Sequence, residues 1–167
     1  DLRLLDLLQQ DAGRSNLDLA QAAQVSPATA LRRVRRLLDE GVIERRVAIV
    51  SPMAAPDSLL ALAEVTLDRQ GAEHLDAFER RAVAEEAVQQ CYRVSPGPDF
   101  MLVLWLPAIS AYHALVQRLF TQDANVRNVK SFFSVHRAKF EPRIRLAPAP
   151  AQSLTQSPTQ SPTPSAR

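Results

Sequence analysis

Four arginines, Arg32, Arg33, Arg35 and Arg36, form the densest run of charge in a chain of 167 residues. Guanidinium groups at this spacing suit two kinds of chemistry: bidentate hydrogen bonding to guanine edges, and charge-assisted contact with phosphate. On a helix over 27–40, at about 100° per residue, Leu31, Val34, Leu37 and Leu38 gather on one side as the expected buried face. Thr29, Arg32, Arg33 and Arg36 then share the opposite side, and Arg35 falls on the flank. A merely solvated charged face has the same pattern, so the elements around this helix decide its use.

Those elements predict a helix-turn-helix over residues 1–42. Leu2, Leu4, Leu5, Leu7 and Leu8 make a first helix, closed by Asp11-Ala12-Gly13. Ser15, three residues before Asp18, opens a second in the manner of a capping box, and it carries Leu17, Leu19, Ala20 and Ala23. Ser26 as N-cap and Pro27 at the first helical position open the third, and Gly41 closes it. The last helix of such a unit presents its N-terminal residues to base edges in the major groove. Thr29, Arg32, Arg33 and Arg36 are therefore candidates for such contacts. Arg45 and Arg46 fit either phosphate contact or charges that protect a strand edge.

Further along, the period changes. A β-branched stretch from Val42 to Val50, bounded by Ser51-Pro52, predicts a linker strand over 43–52. Residues 53–146 then order as strand (Leu59 to Leu67), helix (Ala72 to Ala87) and strand (Val88 to Val94). After the turn Ser95-Pro96-Gly97-Pro98 come a strand (Phe100 to Leu106), a helix from Ser110 and a last strand (Val126 to Val135). The order β-α-β-β-α-β is the split, ferredoxin-like arrangement, an antiparallel sheet with two helices on one face. The fold class expected is α+β. Residues 147–167 are rich in Pro, Ser, Thr and Gln and predict a disordered tail.

Composition removes other classes. The net charge of +2 hides its distribution: residues 1–50 hold eight Arg against seven acids, and 51–146 hold eleven basic against eleven acidic residues. A single cysteine, Cys91, excludes an internal disulfide and points to a reducing compartment. The longest apolar run, Phe100 to Leu106, is strand-sized, far below the ~18 residues of a membrane helix. No basic-then-apolar signal sequence opens the chain, so a cytoplasmic protein without a membrane partner is expected. His74, His113 and His136 are far apart and no Cys or His stands at metal-ligand spacing, so neither a metal nor a cofactor is expected. Only four glycines are present, which leaves no phosphate-cradling loop. Trp105, inside an apolar strand, is expected in the core or at a dimer interface.

The string Leu19-Ala20, Val25-Ser26-Pro27, Leu31, Arg33-Val34-Arg35-Arg36-Leu37, Gly41 and Ile43 resembles the DNA-binding half of the Lrp/AsnC (feast/famine) transcription regulators. So does the opening Asp1, Leu4-Leu5, Leu8-Gln9 and Asp11. Cys91-Tyr92-Arg93-Val94-Ser95, Asp99-Phe100, Ala111-Tyr112 and the last strand leading to Lys139 are similar to that family's effector-sensing domain. The resemblance runs from about Asp1 to Phe140. It implies a bacterial regulator that forms homodimers or octamers and binds a double-stranded DNA operator, with Ser26, Pro27, Thr29, Arg32, Arg33 and Arg36 facing the DNA and Arg35 in phosphate contact or a structural role. It also implies a small-molecule effector of the amino-acid class, with Gly97, Pro98, Asp99, Phe100 and Ser131 as candidate effector-binding residues. Two departures stand out. Gln24 occupies the turn where the family carries Gly, and Pro96 and Pro98 remove backbone donors from the effector loop, leaving the effector's identity open.

The resulting expectation is a sequence-specific transcriptional regulator and not an enzyme. Two alternatives share the architecture. One is an enzyme resembling the sirohaem decarboxylases, which line a tetrapyrrole pocket with His; the stretch from Ile43 to Val50 offers none. The other is a ligand-binding or assembly module without DNA binding.

Overall fold

In the computed structural model, which describes residues 1–146, the opening leucine stripe becomes α1 (Leu2–Gln10), followed by α2 (Asn16–Ala23) and α3 (Pro27–Asp39). Leu4 and Leu8 turn inward from α1, Leu19 and Ala20 from α2, and Ala30 and Val34 from α3, and Val25 and Ile43 complete this small core. Both predicted caps form. Ser15 Oγ accepts from the Asp18 amide and donates to Asp18 Oδ2 at 2.6 Å, and Ser26 Oγ accepts from the Thr29 amide at 3.2 Å. Gly41, at φ 70°, ends α3 in the left-handed conformation, and the Ile43 amide returns to the Leu37 carbonyl.

Gln24 holds the α2–α3 turn at φ 57° and ψ 47°. A side chain there costs about 1 kcal/mol relative to glycine. The geometry is retained because the Gln24 and Val25 amides both close α2 through the Ala20 carbonyl and Val25 enters the core. Asn16 Nδ2 donates to the Pro27 carbonyl at 2.9 Å, tying the start of α2 to the start of α3.

The second unit is built on a four-stranded antiparallel sheet of order β2-β3-β1-β4. Its elements are β1 (Leu59–Leu67), α4 (Ala72–Ala84), β2 (Val88–Arg93), β3 (Phe100–Leu106), α5 (Ile109–Leu115) and β4 (Val126–Phe133). A π-helical segment, Val116–Thr121, prolongs α5. Alternate residues of β1 (Ala61, Ala63, Val65, Leu67) and β3 (Phe100, Leu102, Leu104, Leu106) face Phe78 and Ala82 of α4 and Leu115, Leu119 and Phe120 of the α5 arm. Phe78 is central, with its ring 4.8 Å from Phe100 and 6.5 Å from Phe120. The ferredoxin-like order expected from the sequence is therefore the observed one.

Three expectations about boundaries change. The linker strand over 43–52 does not form: residues 44–51 take no strand partner among the described residues. A strand exists only where a second strand takes up its backbone groups, and Val47, Ile49 and Val50 stand exposed. The helix expected to Ala87 stops at Ala84, because Glu85 turns to extended backbone and begins the descent into β2. Finally, residues 141–146, expected with the second unit, group with the first. Gln9 holds Ile144 by two hydrogen bonds, donating to its carbonyl at 3.1 Å and accepting from its amide at 2.8 Å, and Arg143 lies 3.9 Å from Asp6. The segment expected to be a disordered tail, 147–167, lies outside the described residues.

Candidate nucleic-acid interface and effector loop

The buried stripe of α3 is Ala30, Val34 and Leu37, whereas Leu31 and Leu38 are 41% and 37% exposed. The expected face is thus turned toward Ala30. Ala30 is fully buried and packs in one core with Leu19 and Ala20 of α2. The polar pole of the helix turns accordingly. Arg32, Arg35 and Arg36 are exposed, while Arg33 is half-buried on the flank. Arg35, expected on the flank, thus belongs to the exposed pole, and Arg33 exchanges places with it.

Partners divide the four arginines. Asp1 Oδ2 receives the Arg36 guanidinium at 2.5 Å, and its Oδ1 lies 4.0 Å from Arg33 Nε. Glu40 stands 3.7 Å from the other side of Arg36. Among the described residues, Arg32 and Arg35 form no ion pair. Arg32, Arg33 and Arg36 together line an open concavity of about 390 Å³. At the N-terminal end of the helix, Ser26 and Pro27 are exposed, and Thr29 is half-buried with its hydroxyl oxygen accepting from Ser26 Oγ at 2.8 Å. The seven candidate residues therefore lie on one helix and its cap. The part played by Asp1 was invisible to sequence spacing, because its partners lie on another helix more than thirty residues away.

The second set of candidates is not brought together. Gly97, at φ 121°, is exposed, and a Cβ there would meet nothing. Pro98 and Asp99 are half-buried. The Asp99 carboxylate is already engaged: Oδ2 accepts from the Leu67 amide at 2.7 Å and from Gln70 Nε2 at 3.3 Å. This bond falls where the β1–β4 register shifts between Thr66 and Leu67. Asn125 grips the same bend from the other side, accepting from the Arg69 amide at 2.9 Å and donating to its carbonyl at 3.1 Å.

Phe100, expected as an effector contact, is instead fully buried against Phe78, with the Arg93 guanidinium 5.8 Å above its ring. It packs the core because odd and even positions of β3 face opposite sides of the sheet. Ser131 lies on β4 opposite Ala63, separated from Phe100 by β1 and hence by about 10 Å. Its Oγ is buried without a hydrogen-bond partner among the described residues. Arg93 is held by Asp76 and Glu79 at 2.5 Å each, which raise its pKa further. Beside it, burial first and Glu79 second push the Cys91 thiol upward, so it stays protonated near neutral pH.

Two family models match the chain: one for winged helix-turn-helix DNA-binding over residues 1–44, and one for the Lrp/AsnC ligand binding domain over residues 60–144. A Haemophilus influenzae protein described as an uncharacterized HTH-type transcriptional regulator is 37% identical over 146 residues, covering 87% of each chain. The leucine-responsive regulatory protein of Escherichia coli K12 is 30% identical over 144 residues, covering 86% of this chain and 88% of that one. Among solved structures, an AsnC family transcriptional regulator from Agrobacterium tumefaciens superimposes with a TM-score of 0.75. It is 27% identical, and the match covers 85% of this chain and 92% of that one.

Proposed function

The chain belongs to the Lrp/AsnC family of transcriptional regulators, and on that premise we propose that α3 reads its operator. In this reading α3 lies in the major groove with Arg32 and Arg33 at base edges. Ser26, Pro27 and Thr29 approach the bases at the helix start, and Arg35 and Arg36 contact phosphates. The observation that carries it is the arginine run of α3: Arg32, Arg33 and Arg36 line one open concavity, and Arg32 and Arg35 have no carboxylate partner among the described residues. Electrophoretic mobility shift on a site selected from random duplexes tests it. Arg33→Ala should weaken operator binding by about 1–3 kcal/mol if the contact is bidentate. Unchanged affinity in the Arg32→Ala/Arg33→Ala double variant rules the assignment out.

The protein acts as a homodimer through the sheet face remote from the helices. That face carries Leu62 and Phe132, 40% and 51% exposed and opposite one another in register, beside the Leu60 and Trp105 pair. A contiguous apolar face on a sheet is ordinarily covered, and a second copy offers the same surface in return. Two copies of α3 then meet operator half-sites about 10 bp apart, or a multiple of that. Octamers follow if such dimers associate further.

The effector we propose is an amino acid bound by the second unit, which matches the family model for a ligand binding domain; the Escherichia coli relative is named as leucine-responsive. Gly97, Pro98 and Asp99 contribute through the β2–β3 loop, whereas Phe100 contributes packing. Thermal-shift screening of the twenty amino acids checks this, with a ligand-specific rise in Tm expected and no response to any of them counting against it. The protein works in the cytoplasm, where its DNA is, as a regulator and not as an enzyme.

A further inference from the structure

Asp1 is the N-cap of α1, yet its carboxylate makes no capping bond. An Asp at that position ordinarily accepts from the amides of the first turn. Here it reaches across to α3, 2.5 Å from Arg36 and 4.0 Å from Arg33. The Arg36 contact is a charge-assisted hydrogen bond to an anionic oxygen, the kind of contact that arginine also makes to a phosphate oxygen. We propose that the Asp1 carboxylate is a built-in phosphate surrogate that sets the sequence-independent DNA affinity of this helix. The proposal rests on the DNA-binding role of α3.

The physical argument is one of competition. A backbone phosphate approaching Arg36 must displace a carboxylate already in place, while Arg32 and Arg35 receive their contacts without that cost. Non-specific binding consists almost entirely of phosphate contacts, so it bears this cost directly. Operator binding that uses the same Arg36 phosphate contact bears the same cost, so Asp1 lowers the affinity of α3 for any duplex and not for one sequence. Asp1 is thus an affinity-setting residue that touches no base.

The test uses the full chain and a random-sequence 30-bp duplex, with affinity measured by fluorescence anisotropy across a salt series. Asp1→Asn keeps the size and N-cap aptitude of the side chain but removes its charge, and circular dichroism checks that the helices persist. Asp1→Asn should tighten random-duplex binding by about threefold per engaged helix. It should also steepen the slope of log K against log salt by about 0.9 for each additional phosphate that the protein neutralises. In an Arg36→Ala background the same change should have little effect. Asp39→Asn, which removes a charge of α3 that forms no ion pair among the described residues, should also have little effect.

The proposal fails if Asp1→Asn leaves affinity and slope unchanged. It fails equally if Asp39→Asn or the Arg36→Ala background gives the same increase, since the effect would then be one of net charge. If the unmodified protein binds no duplex even at low salt, the DNA-binding reading of α3 falls and this proposal falls with it. Duplex binding with no Asp1 effect overturns the surrogate alone.

Discussion

At the scale of single residues, type and spacing determine what a side chain offers but not what it is already committed to. Asp99 illustrates this. In the sequence it stands in a turn, where an acidic side chain could hold an ammonium group or simply form the turn. In the fold its Oδ2 is occupied by the Leu67 amide and Gln70, so its first role is to pin the end of β1 to the start of β3. Asp99→Ala should lower stability by about 1–3 kcal/mol in the absence of any effector, because the half-buried Leu67 amide loses its acceptor. Urea denaturation measures this, and an unaltered midpoint would mean that water replaces the bond without loss. The arginines of α3 tell the same story. Their presence was legible, whereas the division into Arg32 and Arg35, without ion pairs among the described residues, and Arg33 and Arg36, beside Asp1, came only from another helix packing nearby.

At the scale of elements, local signals located the five α-helices and four sheet strands, but they also gave a linker strand that does not form and mistook some ends and one face. Caps are local, and Ser15, Ser26 and Gly41 act where they were expected to. The buried face of α3 is not local. Hydrophobicity alone chose Leu31 and Leu38, and the packing against α2 chose Ala30. The α2–α3 turn sets that packing, and Gln24 holds the turn in a conformation that favours glycine. Gln24→Gly should raise stability by about 0.5–1 kcal/mol, the relief of strain being partly offset by the freer unfolded chain. Gln24→Val should lower it by at least as much, since β-branched residues resist positive φ. Equal midpoints for all three in urea would show that the turn carries no strain.

At the scale of the whole molecule, two surfaces carry the proposed activity, and the net charge of +2 describes neither. The arginine pole of α3 is a local field, so attraction to DNA depends on its geometry. An assembly that presents two such poles multiplies a modest single affinity. If the outer sheet face makes that assembly, Phe132→Glu should shift the full chain from dimer to monomer in sedimentation velocity and weaken operator binding about tenfold or more. A dimer that survives the substitution would move the interface elsewhere.

What the sequence by itself determined is everything carried by short-range periodicity and capping: five helices, the order of four sheet strands, the arginine cluster and the family to which these residues belong. Such patterns reflect backbone geometry within a turn or a pleat, and a linear chain records them directly. What only the tertiary structure decided is which of these side chains is spoken for. The linker without a strand partner, Phe100 in the core, Ser131 across β1 from the loop, and Asp1 on Arg36 all depend on residues distant in the chain. Their cause is the packing of whole elements, which fixes distances that no local spacing encodes.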